Sequence, residues 1–103
     1  MGNTRKSKPF DAAKYLDSDE AVSAYITEAL LSDDVNVITH AIGVAAKARG
    51  MTQIAEQAGL SRESLYKALS GDGNPQFETI FRVLAALGLR LRAEPATESK
   101  QAA

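Results

Sequence analysis

The chain has 103 residues, the length of one small domain, and its 45% hydrophobic and 24% charged residues are typical of a folded protein. It contains no cysteine, which excludes disulfides and thiolate metal sites and is typical of a reducing compartment. It also lacks an apolar run of about 20 residues and the hydrophobic region of a signal peptide. We therefore expect a cytoplasmic protein without a membrane partner.

Charge is distributed unevenly along the chain, although the net charge is only −1. Residues 1–46 carry four basic and seven acidic side chains, a net charge of −3. Residues 47–92 carry seven basic and four acidic side chains, a net charge of +3. Two ordinary solvated surfaces would explain this division, and so would different partners at the two ends, with an anionic partner for the basic half.

The N-terminal part of the chain is predicted to hold a flexible basic arm over residues 1–9 and helices within residues 10–32. A short helix begins near Asp11. Residues 17–20 (DSDE) then supply a break and an N-cap, because acidic side chains stabilise the start of a helix. The next helix is amphipathic, with apolar side chains at helical spacing: Val22, Tyr25, Ile26, Ala29 and Leu30.

A helix-turn-helix domain is predicted over residues 33–92, so that residues 10–92 form one helical domain. Its first helix covers residues 35–48 and follows the start signal SDD of residues 32–34. This helix is apolar around much of its circumference, so we expect it to be central in the fold. Gly50 ends it.

The remaining helices are shorter or end at glycine. One is predicted over residues 52–58, and another begins at the N-cap Ser61 and ends near residue 69. The last helix is closed by Gly88 and has an apolar stripe of Phe77, Ile80, Phe81, Leu84 and Leu87. Residues 93–103 are expected to form a flexible tail.

Residues 51–69 carry the most specific pattern in the sequence, two short helices joined at Gly59. Gly59 can adopt the left-handed conformation of a tight turn, and the small Ala55 lets the second helix cross the first. Leu60 anchors the turn in a core that also contains Ile54, Leu65 and Leu69. This spacing is typical of a helix-turn-helix, whose second helix enters the major groove of DNA.

The exposed face of the second helix is predicted to carry side chains that can hydrogen-bond to base edges. At about 100° per residue, Leu65 and Leu69 point inward. The outward positions are then polar or aromatic: Arg62, Glu63, Ser64, Tyr66, Lys67 and Ser70. A helical hairpin with an ordinary polar surface is the alternative, and the spacing around Gly59 favours DNA binding over it.

Five segments of the sequence carry a resemblance to known protein families: residues 10–16 (FDAAKYL), 24–26 (AYI), 48–55 (ARGMTQIA), 59–70 (GLSRESLYKALS) and 74–89. Over residues 35–89 the sequence resembles the Cro/lambda-repressor-type (XRE) helix-turn-helix domain, a compact bundle of five helices. Over residues 9–92 it resembles more narrowly the probable addiction-module antidote proteins. Those are HigA-like antitoxins encoded beside a small toxin of the RelE-type RNase superfamily.

The resemblance implies a set of DNA-contacting residues. Base contacts would fall on Ser61, Arg62, Glu63, Tyr66 and Lys67. Phosphate contacts would fall on Gly71, Asn74 and Gln76, where backbone N–H groups precede the last helix. Many XRE domains place a phosphate-binding glutamine four residues before the small alanine, where this chain has Met51. Thr52 and Gln53 are the neighbouring side chains that would replace it.

Other classes of site find little support in the sequence. His40 is the only histidine and has no nucleophile–base pattern around it, so we expect no enzymatic activity. Neither the carboxylates nor the turn over residues 71–74 have the spacing of a metal site, and no cofactor is expected. Phe77 and Phe81 are interpreted as core residues and not as a base-stacking platform.

The predicted fold class is therefore all-α, a compact helical bundle of the lambda-repressor-like type with extra N-terminal helices. Residues 89–92 (LRLR) alternate apolar and polar side chains, which predicts a short C-terminal strand after the bundle. One recognition helix reads only a few base pairs, so we expect a homodimer. Antiparallel pairing of this strand with a second copy would place Leu89 and Leu91 in a shared core. Folding back on the bundle, or an irregular tail, is the alternative.

The function predicted from these features is that of a DNA-binding antitoxin of a type II toxin–antitoxin module. It would neutralise a RelE/HigB-like toxin and repress its own operon, with double-stranded operator DNA and the toxin as partners. The acidic segment from Phe10 to Leu31 suits a basic toxin. A stand-alone XRE-type regulator, for example of phage origin, and an interaction module without DNA binding are the alternatives. A toxin-like neighbouring reading frame and a salt-sensitive gel shift would distinguish them.

Overall fold

The computed structural model describes residues 15–70 and 74–96, which form five helices and no strand. The helices are α1 (Asp19–Leu30), α2 (Val35–Arg49), α3 (Met51–Ala58), α4 (Arg62–Ala68) and α5 (Phe77–Ala86). The all-helical prediction is confirmed for this part of the chain. The predictions of a basic arm over residues 1–9, of a short helix near Asp11 and of a flexible tail fall wholly or largely on residues outside the described ranges.

Side-chain caps begin three of the helices where the sequence places start signals. Ser18 accepts a hydrogen bond from the backbone N–H of Ala21 at 3.1 Å, which starts α1. Asp34 accepts from the N–H of Asn36 at 2.9 Å and starts α2. Ser61 caps α4 in the same way. These caps satisfy N–H groups that have no partner within the helix and so fix the helix boundaries.

The core forms where α3 packs against α2, α4 and α5, while α1 packs on α2. Its largest fully buried side chains are Val22, Ile42, Leu65, Val83 and Leu87. The helix predicted to be central, over residues 35–48, packs mainly on α1 and α3, whereas α3 packs against three helices. Only its middle and end are buried, since Val35 and Val37 are 69% and 43% exposed. The first turn of α2 extends past the helices that cover the rest of it.

The prediction that Phe77 and Phe81 belong to the core is wrong. They are 72% and 51% exposed, and their ring centroids lie 6.0 Å apart on the surface of α5. The buried face of this helix carries Val83, Leu84 and Leu87. At about 100° per residue, Phe77 lies roughly 70° and Phe81 roughly 110° from the middle of that face, so both rings reach past the core.

The predicted C-terminal strand is also not formed, because residues 89–96 have no regular secondary structure. The N–H of Leu89 bonds to the carbonyl of Leu84 at 3.0 Å, which closes α5 after Gly88. Leu89 is half-buried and Leu91 is 37% exposed. The described residues offer no strand for this segment to pair with, and a single strand leaves its backbone groups unpaired.

The longest helix, α2, has 15 residues. No helix in the described part of the chain combines the length and the hydropathy that crossing a bilayer requires.

Candidate nucleic-acid interface

The turn between α3 and α4 is built around Gly59 in the left-handed conformation, with φ 74° and ψ 31°. The N–H of Gly59 bonds to the carbonyl of Glu56 at 3.2 Å, and the N–H of Leu60 to that of Ala55 at 2.8 Å. These two bonds form a Schellman motif, which satisfies the last carbonyls of α3. Ala55 is 2% exposed and Leu60 is half-buried, so the turn is anchored to the core as the sequence predicts.

The start of α4 is fixed by two serines. The Ser61 hydroxyl accepts a hydrogen bond from the backbone N–H of Ser64 at 2.9 Å and donates one to the Ser64 hydroxyl at 2.9 Å. On the inner side of the helix Leu65 is fully buried. Because the cap fixes one end and Leu65 fixes the rotation, the outward face of α4 has a defined orientation.

Arg62 and Tyr66 interact on the outward face of α4. The Arg62 Nη2 donates a hydrogen bond to the Tyr66 hydroxyl at 3.2 Å, and its guanidinium carbon lies 5.5 Å from the centre of the tyrosine ring. Both residues are exposed. The guanidinium is held by a hydrogen bond and a cation–π contact, which limits its rotamers before any ligand binds.

Glu63 and Lys67 are exposed on the same helix, one turn apart. Within residues 15–70 and 74–96 neither makes an ion pair, so their charged groups stay available to a partner. The structure therefore brings together, on α4 and its cap, the five residues to which the resemblance assigns base contacts: Ser61, Arg62, Glu63, Tyr66 and Lys67.

The first turn of α3 begins with Met51, at the position where the resemblance places a phosphate-binding glutamine. Met51 is 7% exposed and belongs to the core, so the side chain at this position points inward. Thr52 and Gln53 are both exposed next to it. Gly50 precedes the helix without a side-chain cap, which leaves the first N–H groups of α3 without a capping side chain. Thr52 and Gln53 therefore lie at the helix end where the resemblance predicts a phosphate contact.

The second predicted phosphate-binding segment lies before α5. Asn74 and Gln76 are exposed, and Gln76 occupies the N-cap position without a side-chain hydrogen bond. Gly71 lies outside the described residues. Glu78 adds a negative charge to the first turn of α5, and Arg82 neutralises it through an ion pair of 2.7 Å.

Arg82 is a candidate site residue that the sequence analysis does not single out. A Cβ placed on Gly59 would lie 3.7 Å from Arg82 Nη1, so the guanidinium sits beside the turn that leads into α4. It is half exposed. The sequence could have indicated its position, because Glu78 and Arg82 are four residues apart and oppositely charged, as in ion pairs on the exposed face of a helix. The Arg82 guanidinium thus lies beside this turn with its charge paired to Glu78.

Catalytic and metal-binding arrangements are not apparent at this face or elsewhere in the described chain. His40 is exposed on α2. No group of three or more His, Asp or Glu side chains in residues 15–70 and 74–96 is arranged to hold a metal ion. The surface of α4 offers hydrogen-bonding groups and positive charge, which are suited to binding an anionic partner.

Comparison with known proteins identifies the family. A family model described as "Probable addiction module antidote protein" matches residues 6–95. The chain belongs to this family. The predicted resemblance to antidote proteins is therefore confirmed over almost the whole chain, and membership in an antidote family implies a toxin as partner.

The chain is also similar in sequence to a protein of Haemophilus influenzae. This relative is described as an uncharacterized protein and is 47% identical over 91 residues, which cover 88% of this chain and 94% of that protein. No solved structure matches the chain.

Proposed function

We propose that this antidote protein binds operator DNA through α4, represses its own operon and neutralises a small RelE/HigB-like toxin encoded beside it. It would do so as a HigA-like antitoxin with an XRE-type helix-turn-helix. The observation that carries the proposal is the combination of the Schellman turn at Gly59 with the ordered, outward-facing pair of Arg62 and Tyr66. A helix held in this way can insert its polar face into a major groove.

The chemistry of the outward face fits base recognition. Arg62 can donate two parallel hydrogen bonds to guanine, and Glu63 can accept one from the amino group of cytosine. Lys67 supplies a positive charge for a base or an adjacent phosphate. Ser61 and Tyr66 add hydroxyl groups at the two ends of the same face. Ordinary surface helices carry similar residue types, so the assignment depends on the turn at Gly59, the cap at Ser61 and this face taken together.

The flanking residues fit phosphate binding on either side of the recognition helix. Thr52 and Gln53 lie at the start of α3, while Asn74 and Gln76 precede α5. Backbone N–H groups at helix starts attract phosphates. Phosphate contacts of this kind would position the helix without reading sequence.

Membership in the antidote family favours an antitoxin over a stand-alone XRE-type regulator. A toxin of the RelE type binds RNA and is expected to be basic, which suits the acidic half of this chain. A module without DNA binding is the other alternative, and the ordered face of α4 argues against it.

We also propose that the protein binds its operator as a homodimer. Phe77, Phe81, Leu89 and Leu91 make an apolar surface on α5 and the segment after it, here called the α5 surface. A shallow pocket lies between Phe81 and Leu91. Exposed phenylalanines on a small protein mark an interaction site, and pairing of two such surfaces would bury them.

The experiment that tests DNA binding is a titration of the promoter duplex of the operon, followed by fluorescence anisotropy at several salt concentrations. The wild type should bind with an affinity that falls as salt rises. The double variant R62A/K67A should lose about 1–3 kcal/mol of specific binding for each base contact removed. Binding of this variant with wild-type affinity and salt dependence would refute the assignment of α4.

A further inference from the structure

A second apolar surface lies at the α1–α2 corner, defined here as residues 28–37. Four large apolar side chains are exposed within this short segment, at fractions from 43% to 69%: Leu30, Leu31, Val35 and Val37. They belong neither to the recognition helix nor to the α5 surface. A cluster of exposed leucine and valine has no role in the core and is costly to leave in water.

The backbone of the corner is held in one conformation by hydrogen bonds. The Ser32 hydroxyl donates to the carbonyl of Ala29 at 2.6 Å and accepts from the N–H of Asp34 at 3.1 Å. Asp34 in turn caps α2, and Asp33 adopts a left-handed conformation with φ 59°. The apolar side chains are therefore presented on an ordered turn, and a partner would lose little entropy in fixing it.

Charge around the corner restricts what can cover it. The corner contains Glu28, Asp33 and Asp34, and residues 15–46 carry six acidic side chains and no lysine or arginine. The same charge repels the phosphates of nucleic acid. It also opposes self-pairing, because two copies would bring acidic residues against each other. The occupant that fits is a basic protein that presents apolar side chains.

We propose that the α1–α2 corner is the docking site for the toxin, in which basic side chains of the toxin surround an apolar contact with Leu31 and Val35. This inference rests on the proposed function, since it assumes that the chain neutralises a toxin. The sequence-based prediction places the toxin contact on the acidic segment that ends at Leu31. The proposed docking site differs from it because it includes the first turn of α2. Apolar contact supplies affinity, and the carboxylates speed association.

The apolar part of the site is tested with the double variant L31S/V35S in the full chain. Both residues are more than half exposed and lie at helix ends, so serine at these positions leaves the core intact. The probe is the purified protein encoded by the reading frame next to the gene of this chain, and its affinity is measured by calorimetry. We expect the dissociation constant to rise at least tenfold, with operator affinity and melting temperature close to wild type.

The charged part is tested with E28Q/D33N, since asparagine tolerates the left-handed conformation of Asp33. The matched control is E56Q/E94Q, which removes two exposed carboxylates outside the corner. E28Q/D33N should slow association with the toxin and weaken its salt dependence, while E56Q/E94Q should change neither. A purely structural role of Glu28 and Asp33 would leave the salt dependence unchanged.

The outcomes separate this inference from the proposed function. If the wild type binds the toxin and both corner variants bind it equally well, the corner is not the docking site, although the antitoxin function stands. If the wild type does not bind the neighbouring protein, the proposed neutralisation fails and the docking site fails with it. Loss of toxin binding in L31S/V35S with unchanged operator binding supports the inference.

Discussion

The guanidinium of Arg49 donates a hydrogen bond to the carboxylate of Asp19 at 3.0 Å, which joins the last residue of α2 to the first residue of α1. Each charge also lies at the helix end that its sign stabilises. A Cβ on Gly88 would lie 3.4 Å from the same carboxylate, so the end of α5 meets this pair. The contact links the start of α1 to the end of α2, next to the start of α3.

We expect loss of this ion pair to destabilise the protein modestly. The side chains of Arg49 and Asp19 are 32% and 62% exposed, so solvent screens their attraction. Removal of either charge, in D19N or R49Q, should lower the free energy of unfolding by about 0.5–1 kcal/mol. Urea denaturation of both single variants and the double variant measures the coupling energy between Asp19 and Arg49. If the losses of unfolding free energy in the single variants add up to the loss in the double variant, the ion pair contributes nothing.

A second prediction compares two glycines. Gly59 has a φ of 74°, and an added Cβ would make only an ordinary contact of 3.7 Å with Arg82 Nη1, so G59A should cost about 1–2 kcal/mol through backbone strain alone. Gly43 lies inside α2, where a Cβ would make an ordinary contact of 3.7 Å with Leu69. G43A should therefore stabilise the protein by about 0.5–1 kcal/mol.

Thermal melts of G59A and G43A test this contrast directly. Opposite shifts of the melting temperature are expected, with a loss of operator affinity only in G59A. Equal shifts in both variants would mean that the left-handed turn does not contribute to stability in the way proposed.

The helix boundaries were predictable from sequence because they depend on local chemistry. Ser18, Asp34 and Ser61 can cap a helix wherever they stand, and Gly59 supplies a left-handed turn without help from the rest of the fold. The same holds for Leu65, which the pattern of two short helices joined at Gly59 places in the core. The local geometry of the candidate interface follows from these residues.

The exposed apolar surfaces could not be predicted in the same way. Periodicity shows that Phe81 and Val35 lie on or near apolar faces, but it does not show how far neighbouring helices cover those faces. Burial of such residues is decided by tertiary packing. The Arg62–Tyr66 pair was likewise visible only as an i, i+4 spacing, since many side chains at that spacing do not meet.

A third prediction concerns Met51, which stands where many XRE domains carry a phosphate-binding glutamine. Because Met51 is buried, M51Q would place an amide in the core. It should destabilise the protein by about 1–3 kcal/mol and should not raise operator affinity. T52A and Q53A should instead weaken operator binding without loss of stability. A tighter complex with M51Q would mean that this position reaches the DNA after all.

A fourth prediction concerns the α5 surface. F77S/F81S removes two large apolar side chains that are mostly exposed, so the monomer should stay folded. Sedimentation at micromolar concentration should find the wild type as a dimer and the variant as a monomer. The variant should also bind the operator more weakly than the wild type, because a monomer has one recognition helix and reads only half of a two-fold site. A variant that sediments as the wild type does would exclude Phe77 and Phe81 from the interface.

The last prediction separates the two contacts between Arg62 and Tyr66. Y66F removes the hydroxyl that accepts the 3.2 Å hydrogen bond but keeps the ring under the guanidinium, whereas Y66A removes both. If the ring orders Arg62 for guanine, Y66F should lose less operator affinity than Y66A. In the background of R62A the effect of Y66A should shrink, because the arginine that the ring positions is gone. Anisotropy titrations of the four variants, with melting temperatures as the control for folding, measure this coupling. Equal losses from Y66A with and without Arg62 would show that Tyr66 acts on DNA independently.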